Sequence, residues 1–232
     1  MRKKENYFLL ANMDSLSEMT EFIYKKVFRT DFSEPGFVVI DFGPTFTSEK
    51  LRECMVNLKN NLSKIHTDRF GQKLMYQWMG RFDQQETTKF HHDNAADQSF
   101  LMLGYEPTEI KSKLYLADYV QFANSINITG EEYFEKYNPM FTDGENLLKP
   151  FTTEIEEFRE DSFKIVLMNN SNTNKKDETI GVFHKAEIIQ KDLTKERVIN
   201  STMIFSGDIK DDESFSNEQQ QDFITTHKIS KK

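Results

Sequence analysis

The sequence predicts an α+β protein in which two N-terminal helices precede a β-rich body. Residues 14–71 carry apolar side chains at helical spacing, whereas residues 73–207 hold short apolar runs separated by turn signals. Residues 208–232 contain few large apolar groups and many polar ones, so we expect a loosely held tail there. A chain of 232 residues with 21 Phe can bury one substantial core, which favours a single domain over residues 1–207.

The two N-terminal helices are predicted from start signals and apolar stripes. The first covers residues 14–29, because Ser15 and Glu18 have the spacing of a capping box. The second begins at Thr47 or Ser48 and ends near Gly71, with one apolar face along its length. Between them, residues 37–42 (FVVIDF) form a continuous apolar run that predicts a buried strand.

The β body is predicted from a series of runs rich in aromatic and branched side chains. The strand candidates are residues 73–81, 87–91, 98–105, 112–123, 150–156, 162–169, 179–189 and 196–205. A helix is predicted over residues 129–141, with Thr129 as its cap, inserted among these strands. Many short strands in one domain indicate a β-sandwich or a barrel-like body.

Charge and cysteine content exclude some partners. The net charge is −8, which argues against nucleic acid and against docking on an anionic membrane, since both need a basic surface. No segment approaches the roughly 18 apolar residues of a membrane span, and the apolar run at residues 7–11 is too short for a signal peptide. Cys54 is the single cysteine, which suits a reducing compartment. We expect a soluble, cytoplasmic protein.

Residues 87–94 read TTKFHHDN and raise the question of a metal site. In an extended segment, alternate side chains share a face, so His91 and Asp93 point one way and His92 the other. Of the remaining histidines, His184 lies in the strand pattern of residues 180–186 (IGVFHKA), which makes it the natural third ligand. Two histidines and one carboxylate form the facial triad of non-haem Fe(II) oxygenases.

A less specific interpretation of these residues stays open. His91 and Asp93 could form a hydrogen bond within a surface turn that leaves His92 solvated. His184 alone could be a core histidine whose ring nitrogens bind neighbouring groups, and Arg197 alone could be a surface cation beside Glu196.

Taken together, His91-x-Asp93, His184 and Arg197 resemble the motif of the 2-oxoglutarate/Fe(II)-dependent dioxygenases. Asp93 precedes His184 by 91 residues, and Arg197 follows His184 by 13, which is ordinary spacing for that family. The resemblance, which covers residues 76–205, implies a double-stranded β-helix, the jelly roll also found in cupins. It further implies that His91, Asp93 and His184 hold Fe(II) and that Arg197 pairs with the distal carboxylate of 2-oxoglutarate.

One position departs from the family pattern. Many members have Ser or Thr two residues after the arginine, where this chain has Ile199. Ser201 lies two residues further on the same strand face and is the candidate for binding the co-substrate in its place.

The resemblance implies an oxygenase that hydroxylates a small molecule or a protein side chain. Asp93 disfavours halogenation, because the halogenating relatives have a small residue at that position. Two alternatives remain: a non-catalytic jelly-roll module that binds a ligand, and a cupin-like metalloenzyme that uses no 2-oxoglutarate. The sequence does not indicate an oligomeric state.

Overall fold

The structure is a computed structural model that describes residues 3–11, 13–137, 142–155, 160–172 and 178–231. Part of the helix predicted over residues 129–141 therefore lies outside the described residues, as does most of the polar stretch at 169–177.

The described residues combine helices with a β body, in agreement with the predicted mixture of the two. The helices are α1 (Met13–Glu18), α2 (Thr20–Val27), α3 (Ser48–Phe70), α4 (Tyr119–Ser125), α5 (Gly130–Lys136), α6 (Thr142–Leu148) and α7 (Asn217–Thr225). The longest, α3, begins where Thr47 Oγ1 accepts a hydrogen bond from Lys50 N (3.2 Å) and ends at Gly71, whose φ of 66° favours glycine. Within the described ranges, every helix is too short or too polar to cross a membrane.

The strands form two sheets. They are β1 (Phe8–Leu10), β2 (Phe37–Gly43), β3 (Gln72–Asp83), β4 (Ser99–Tyr105), β5 (Ser112–Ala117), β6 (Thr152–Glu154), β7 (Phe163–Asn169), β8 (Phe183–Ile188), β9 (Val198–Asp208) and β10 (Ser230–Lys231). The large sheet has the order β1-β2-β7-β4-β9-β3-β10 and is antiparallel except at its two edges. The small sheet has the order β6-β5-β8 and is antiparallel.

The core lies on both faces of the large sheet. Alternate residues of its strands, such as Val38 and Met102, pack against α2 and α3. The residues between them, such as Val39 and Leu101, pack against Leu114 of the small sheet. The molecule therefore has three layers, consisting of helices, the large sheet and the small sheet. This mixed α/β architecture agrees with the predicted class, while the jelly roll itself stays a prediction.

The predicted strand over residues 112–123 is wrong in its second half. β5 ends at Ala117, and α4 begins directly after Asp118. The Asp118 carboxylate accepts a hydrogen bond from Gln121 N (3.1 Å) and thereby caps the helix. The aromatic residues that suggested a strand, Tyr119 and Phe122, instead form a cluster with Phe183 on the small sheet.

The N-terminal segment also differs from the prediction. The helix predicted over residues 14–29 is divided at Met19 into α1 and α2. Residues 8–10, which the sequence left without structure, extend the large sheet as β1.

The C-terminal segment is more ordered than the tail predicted over residues 208–232. Ser216 and Gln219 form a capping box at the start of α7, and Phe223 is buried in the helical layer. The buried guanidinium of Arg52 donates to the carbonyls of Ile224 (2.9 Å) and Thr226 (3.2 Å). One buried aromatic residue and these long-range hydrogen bonds hold a segment whose composition is otherwise polar.

Candidate metal centre

The two histidines of the predicted metal site are neighbours across an antiparallel bridge. His91 N donates to His184 O, and His184 N donates to His91 O, each at 3.1 Å. Residues directly opposite each other in such a bridge present their side chains on one face. The two imidazole rings are accordingly 4.2 Å apart between centroids. The pairing of residues 87–91 with β8 therefore brings together two residues that are distant in sequence.

Asp93 completes the cluster. Its carboxylate Oδ1 is 3.5 Å from His91 Nε2, and one donor atom from each of His91, Asp93 and His184 lies within 4.8 Å of the others. The side chain of Asn170 holds the backbone of Asp93 from both sides: its Oδ1 accepts from Asp93 N, and its Nδ2 donates to Asp93 O, both at 3.0 Å. The position of the carboxylate therefore depends on an amide at the end of β7.

The hydrogen bonds and burial of the two imidazoles prepare them for a metal ion. The carbonyl of Lys89 can only accept, so His91 Nδ1 donates in their 2.6 Å bond, and in the neutral ring Nε2 is the nitrogen that offers a lone pair on the side of Asp93. Burial, followed by the nearby His91, lowers the pKa of His184 to about 3. His184 is therefore neutral at physiological pH, as a metal ligand must be. Its Nδ1 is buried and has no hydrogen-bond partner among the described residues.

The other histidines lie elsewhere. His92 points away from the cluster, where its Nδ1 bonds to Asn172 Oδ1 (2.7 Å) and its ring packs against Phe183. Strand alternation predicts this opposite orientation. His66 is a buried residue of α3 and bonds to Tyr24 and Ser206, and His227 is exposed in the C-terminal segment.

A cavity of about 60 Å³ adjoins the three ligands, which form part of its lining. Aromatic and aliphatic side chains make up most of the remaining wall, including Trp78 and Tyr105. Ser201, the candidate for co-substrate binding, also lines the cavity and is buried. The cluster is therefore placed beside a small space in which aromatic and aliphatic side chains adjoin a few converging polar groups, as is usual for a ligand site.

Arg197 lies next to this cavity without being part of its lining. Its guanidinium carbon is 5.3 Å from the ring centroid of Tyr105, and Tyr105 does line the cavity. Arg197 Nε donates to Ser112 Oγ (3.2 Å), and Nη1 donates to the carbonyl of Gln84 (3.1 Å). The residue is 2% exposed, and burial lowers its pKa.

The guanidinium of Arg197 is incompletely satisfied. Its Nη2 is buried and has no hydrogen-bond partner in the described parts of the chain. The two hydrogen bonds that it donates go to neutral oxygens, and within those same parts no carboxylate forms a salt bridge with it. Burial disfavours this charge, while the nearby Tyr105 and Asp83 partly offset that effect.

Sequence reasoning missed Asn170 and left Tyr105 undecided. Asn170 stands in a polar run, and its contact with Asp93 depends on how β7 ends beside the turn after His91, which no local pattern encodes. Tyr105 fits a core strand equally well, and only its contact with Arg197 distinguishes it. The sequence does contain both residues at strand ends, where site residues are common.

The chain matches no protein-family model, and no curated protein matches it either. The resemblance to the 2-oxoglutarate/Fe(II)-dependent dioxygenases therefore rests on the residues and on the geometry described above.

Proposed function

We propose that this protein is a non-haem Fe(II)- and 2-oxoglutarate-dependent oxygenase that hydroxylates a small molecule or a protein side chain. One observation carries the proposal: a cluster of two histidines and one aspartate shares a cavity wall with Tyr105, which contacts the incompletely hydrogen-bonded guanidinium of Arg197. A reducing, cytoplasmic setting belongs to the proposal, because it would preserve Fe(II) and suits the buried Cys54 thiol.

The donor set fits Fe(II). His91 Nε2, a nitrogen of His184 and a carboxylate oxygen of Asp93 are the ligand types of the facial triad, which leaves other coordination positions open. The carbonyl of Lys89 orients the His91 ring, and the side chain of Asn170 positions Asp93. When bound, iron with 2-oxoglutarate and O₂ supplies the oxidising power for hydroxylating a C–H bond. The residues of the chain hold the ion, orient the co-substrate and exclude water.

Arg197 is the proposed partner of the distal carboxylate of 2-oxoglutarate. Its Nη2 has the donor that such a carboxylate would satisfy, and Tyr105 and Ser201 line the adjoining wall. A cavity of about 60 Å³ holds only a few water molecules, so a five-carbon diacid needs more room than it offers. Partly exposed lining side chains such as Gln84 and Thr88 would have to move outwards when it binds.

The proposed fold is the double-stranded β-helix. From β3 to β9 the chain passes repeatedly between the large and small sheets, and residues 87–91 extend the small sheet beside β8. This exchange of strands between two packed sheets, with a shared core between them, is what supports a jelly roll.

Anaerobic titration with Fe(II) and 2-oxoglutarate tests the proposal. The chelate should give a weak visible charge-transfer band in the wild-type chain, and His184→Ala should abolish it. His92→Gln is the matched control: it removes an adjacent imidazole that faces away from the cluster, so the band should persist. Absence of the band in the wild-type protein would sink the proposal.

A metalloenzyme that uses no 2-oxoglutarate is the second candidate, and one observation favours it: Arg197 does not itself line the cavity. The two candidates differ in the effect of Arg197→Met. If 2-oxoglutarate is the co-substrate, this variant should bind Fe(II) normally but need far more 2-oxoglutarate to develop the band. In the second candidate, the metal binds and 2-oxoglutarate gives no band in either protein.

A further inference from the structure

Three residues of β3 share the face that looks into the cavity. Trp78, Gly80 and Phe82 alternate along the strand and stand opposite Met203, Ser201 and Ile199 of β9. Trp78 and Phe82 line the cavity, yet both are partly exposed, whereas Ile199 and Ser201 in the same wall are buried. This part of the wall is therefore reached from solvent.

Gly80 gives this wall its shape. A Cβ at this position would come within 2.8 Å of the Phe82 ring, so the ring lies across the backbone at Gly80. The rings of Trp78 and Phe82 then meet edge to face, with centroids 6.3 Å apart and planes inclined at 75°. We call Trp78, Gly80 and Phe82 the aromatic shelf. It offers two differently oriented apolar ring surfaces close to the metal ligands.

With iron and 2-oxoglutarate bound as proposed, Asp93 and Arg197 would both be paired, and the other surroundings of the shelf offer no charge for a substrate to pair with. Apart from the three metal ligands, the described lining residues of the cavity are uncharged. The nearest lysines along the chain, Lys89 and Lys185, both pair with Glu145 of α6. A charged ligand on the shelf would lose water without gaining a counterion, which disfavours it.

We propose that the aromatic shelf binds the substrate of this enzyme and that the part of the substrate presented to the metal is uncharged, flat and apolar. This inference rests on the proposed oxygenase function, which it deepens by naming a substrate class. Phe82 and Trp78 are the residues that touch the substrate. Gly80 is a positioning residue, because its lack of a side chain leaves space for the Phe82 ring to lie across the backbone.

The chain contains one tryptophan, so its fluorescence reports on the shelf directly. The full-length chain, loaded anaerobically with Fe(II) and 2-oxoglutarate so that Asp93 and Arg197 have their proposed partners, is titrated with benzyl alcohol and, separately, with benzylamine, two probes of the same size that differ in charge at neutral pH. Benzyl alcohol should change the Trp78 emission saturably, and benzylamine should bind at least tenfold more weakly. The net charge of −8 would favour the cation, so the comparison is biased against the proposal.

Variants then locate the binding. Phe82→Ala should weaken benzyl alcohol at least fivefold, and Gly80→Ala should do so without removing an aromatic group, because the added methyl group displaces the Phe82 ring. Phe22→Ala, which removes a partly exposed phenylalanine on α2, is the control and should leave the affinity unchanged. Far-ultraviolet circular dichroism checks that each variant is folded.

Equal affinity for the two probes, or unchanged affinity in both shelf variants, would overturn the inference. The oxygenase proposal has a separate readout, since the charge-transfer band with Fe(II) and 2-oxoglutarate does not depend on benzyl alcohol. A protein that gives the band but does not bind benzyl alcohol would support the proposed function and contradict the proposed role of the shelf. A protein that binds the probe without giving the band would show a binding site without the proposed chemistry.

Discussion

Arg29 and Arg197 are equally buried, each 2% exposed, but Arg29 pairs with a carboxylate whereas Arg197 donates hydrogen bonds to neutral oxygens. Arg29 forms a two-fold ion pair with Asp118, with Nη1–Oδ2 at 2.6 Å and Nη2–Oδ1 at 2.8 Å. It also donates to the carbonyls of Glu34 and Ile180. Arg197 has neutral acceptors for two of its nitrogens and none for Nη2 within the described residues.

This difference distinguishes a structural arginine from one that we propose binds a ligand. Arg29 joins α2, the start of α4 and the segment before β8, and its charge is fully compensated inside the chain. The incompletely paired charge of Arg197 lowers the stability of the empty protein and favours an anionic ligand. Burial alone therefore does not indicate the role of an arginine, whereas its set of hydrogen-bond partners does.

The largest effect is expected from breaking the structural pair. Asp118→Asn keeps the shape of the side chain but leaves the Arg29 charge buried without an anion, which should lower the free energy of unfolding by roughly 3–5 kcal/mol. Urea denaturation measures the loss. The control is Glu21→Gln, which breaks the exposed pair with Arg69 and should cost less than about 1 kcal/mol. A cost below that value for Asp118→Asn would remove the distinction drawn above.

Acid should reveal a second fully satisfied buried group. Ser206 Oγ donates to Gln72 Oε1, so His66 Nε2 donates to Ser206 and Nδ1 accepts from Tyr24 OH (2.8 Å). Burial lowers the pKa of His66 to about 4, below its unfolded value of about 6.5. The unfolded chain therefore binds the proton first, and stability is complete above pH 6.5 and falls as the pH drops towards 4.

The expected loss from His66 is up to roughly 3 kcal/mol across that range. It is measured by urea denaturation at several pH values for the wild type and for His66→Gln, which cannot titrate. The wild type should lose more stability than the variant between pH 6.5 and 4. Parallel curves would show that His66 is already free to protonate in the folded protein.

Arg197 should show the opposite behaviour to Arg29. Arg197→Met should leave the free energy of unfolding unchanged or raise it, because it removes an incompletely paired buried charge. In the wild type with anaerobic Fe(II), 2-oxoglutarate at about a hundred times its Kd should add about 2.7 kcal/mol, and the variant should gain almost nothing. Arg69→Met, which changes an exposed arginine, should retain the full gain. Equal gains in all three proteins would exclude Arg197 from co-substrate binding.

The smallest of these effects concerns Asn170, which orients a metal ligand without touching the metal. Asn170→Ala removes both hydrogen bonds to the Asp93 backbone and should weaken Fe(II) binding tenfold to a hundredfold, which corresponds to about 1.4–2.7 kcal/mol. Anaerobic titration followed by calorimetry measures the affinity. Because the change also removes a bond to Ser99, Ser99→Ala is the control and should bind Fe(II) almost normally.

The cluster of His91, Asp93 and His184 was predictable because local rules bring these residues together. Strand alternation places His91 and Asp93 together and turns His92 away, whatever the rest of the chain does. The pairing of His91 with His184 needed only the inference that both lie on strands. By contrast, the set of partners around Arg197 comes from β5 and from the segment after β3, and the order of the strands in the sheets determines it.

The incorrect secondary-structure predictions also result from contacts between segments that are distant in the sequence. Residues 119–123 have strand-like aromatic composition, but the Asp118 cap and packing against Phe183 make them helical. The polar C-terminal segment is held by carbonyl groups that accept from Arg52 and Arg81, and backbone carbonyls leave no trace in a sequence. Tertiary contacts outweigh local propensity at both places.

If the cluster binds metal as proposed, the bridge between His91 and His184 also determines when the chain can acquire the ion. The two ligands are 93 residues apart and face each other only after residues 87–91 have paired with β8. A growing polypeptide that has not yet reached His184 can offer at most two of the three ligands. Metal binding would therefore follow synthesis of both strands. The bound ion would then stabilise the paired strands against separation.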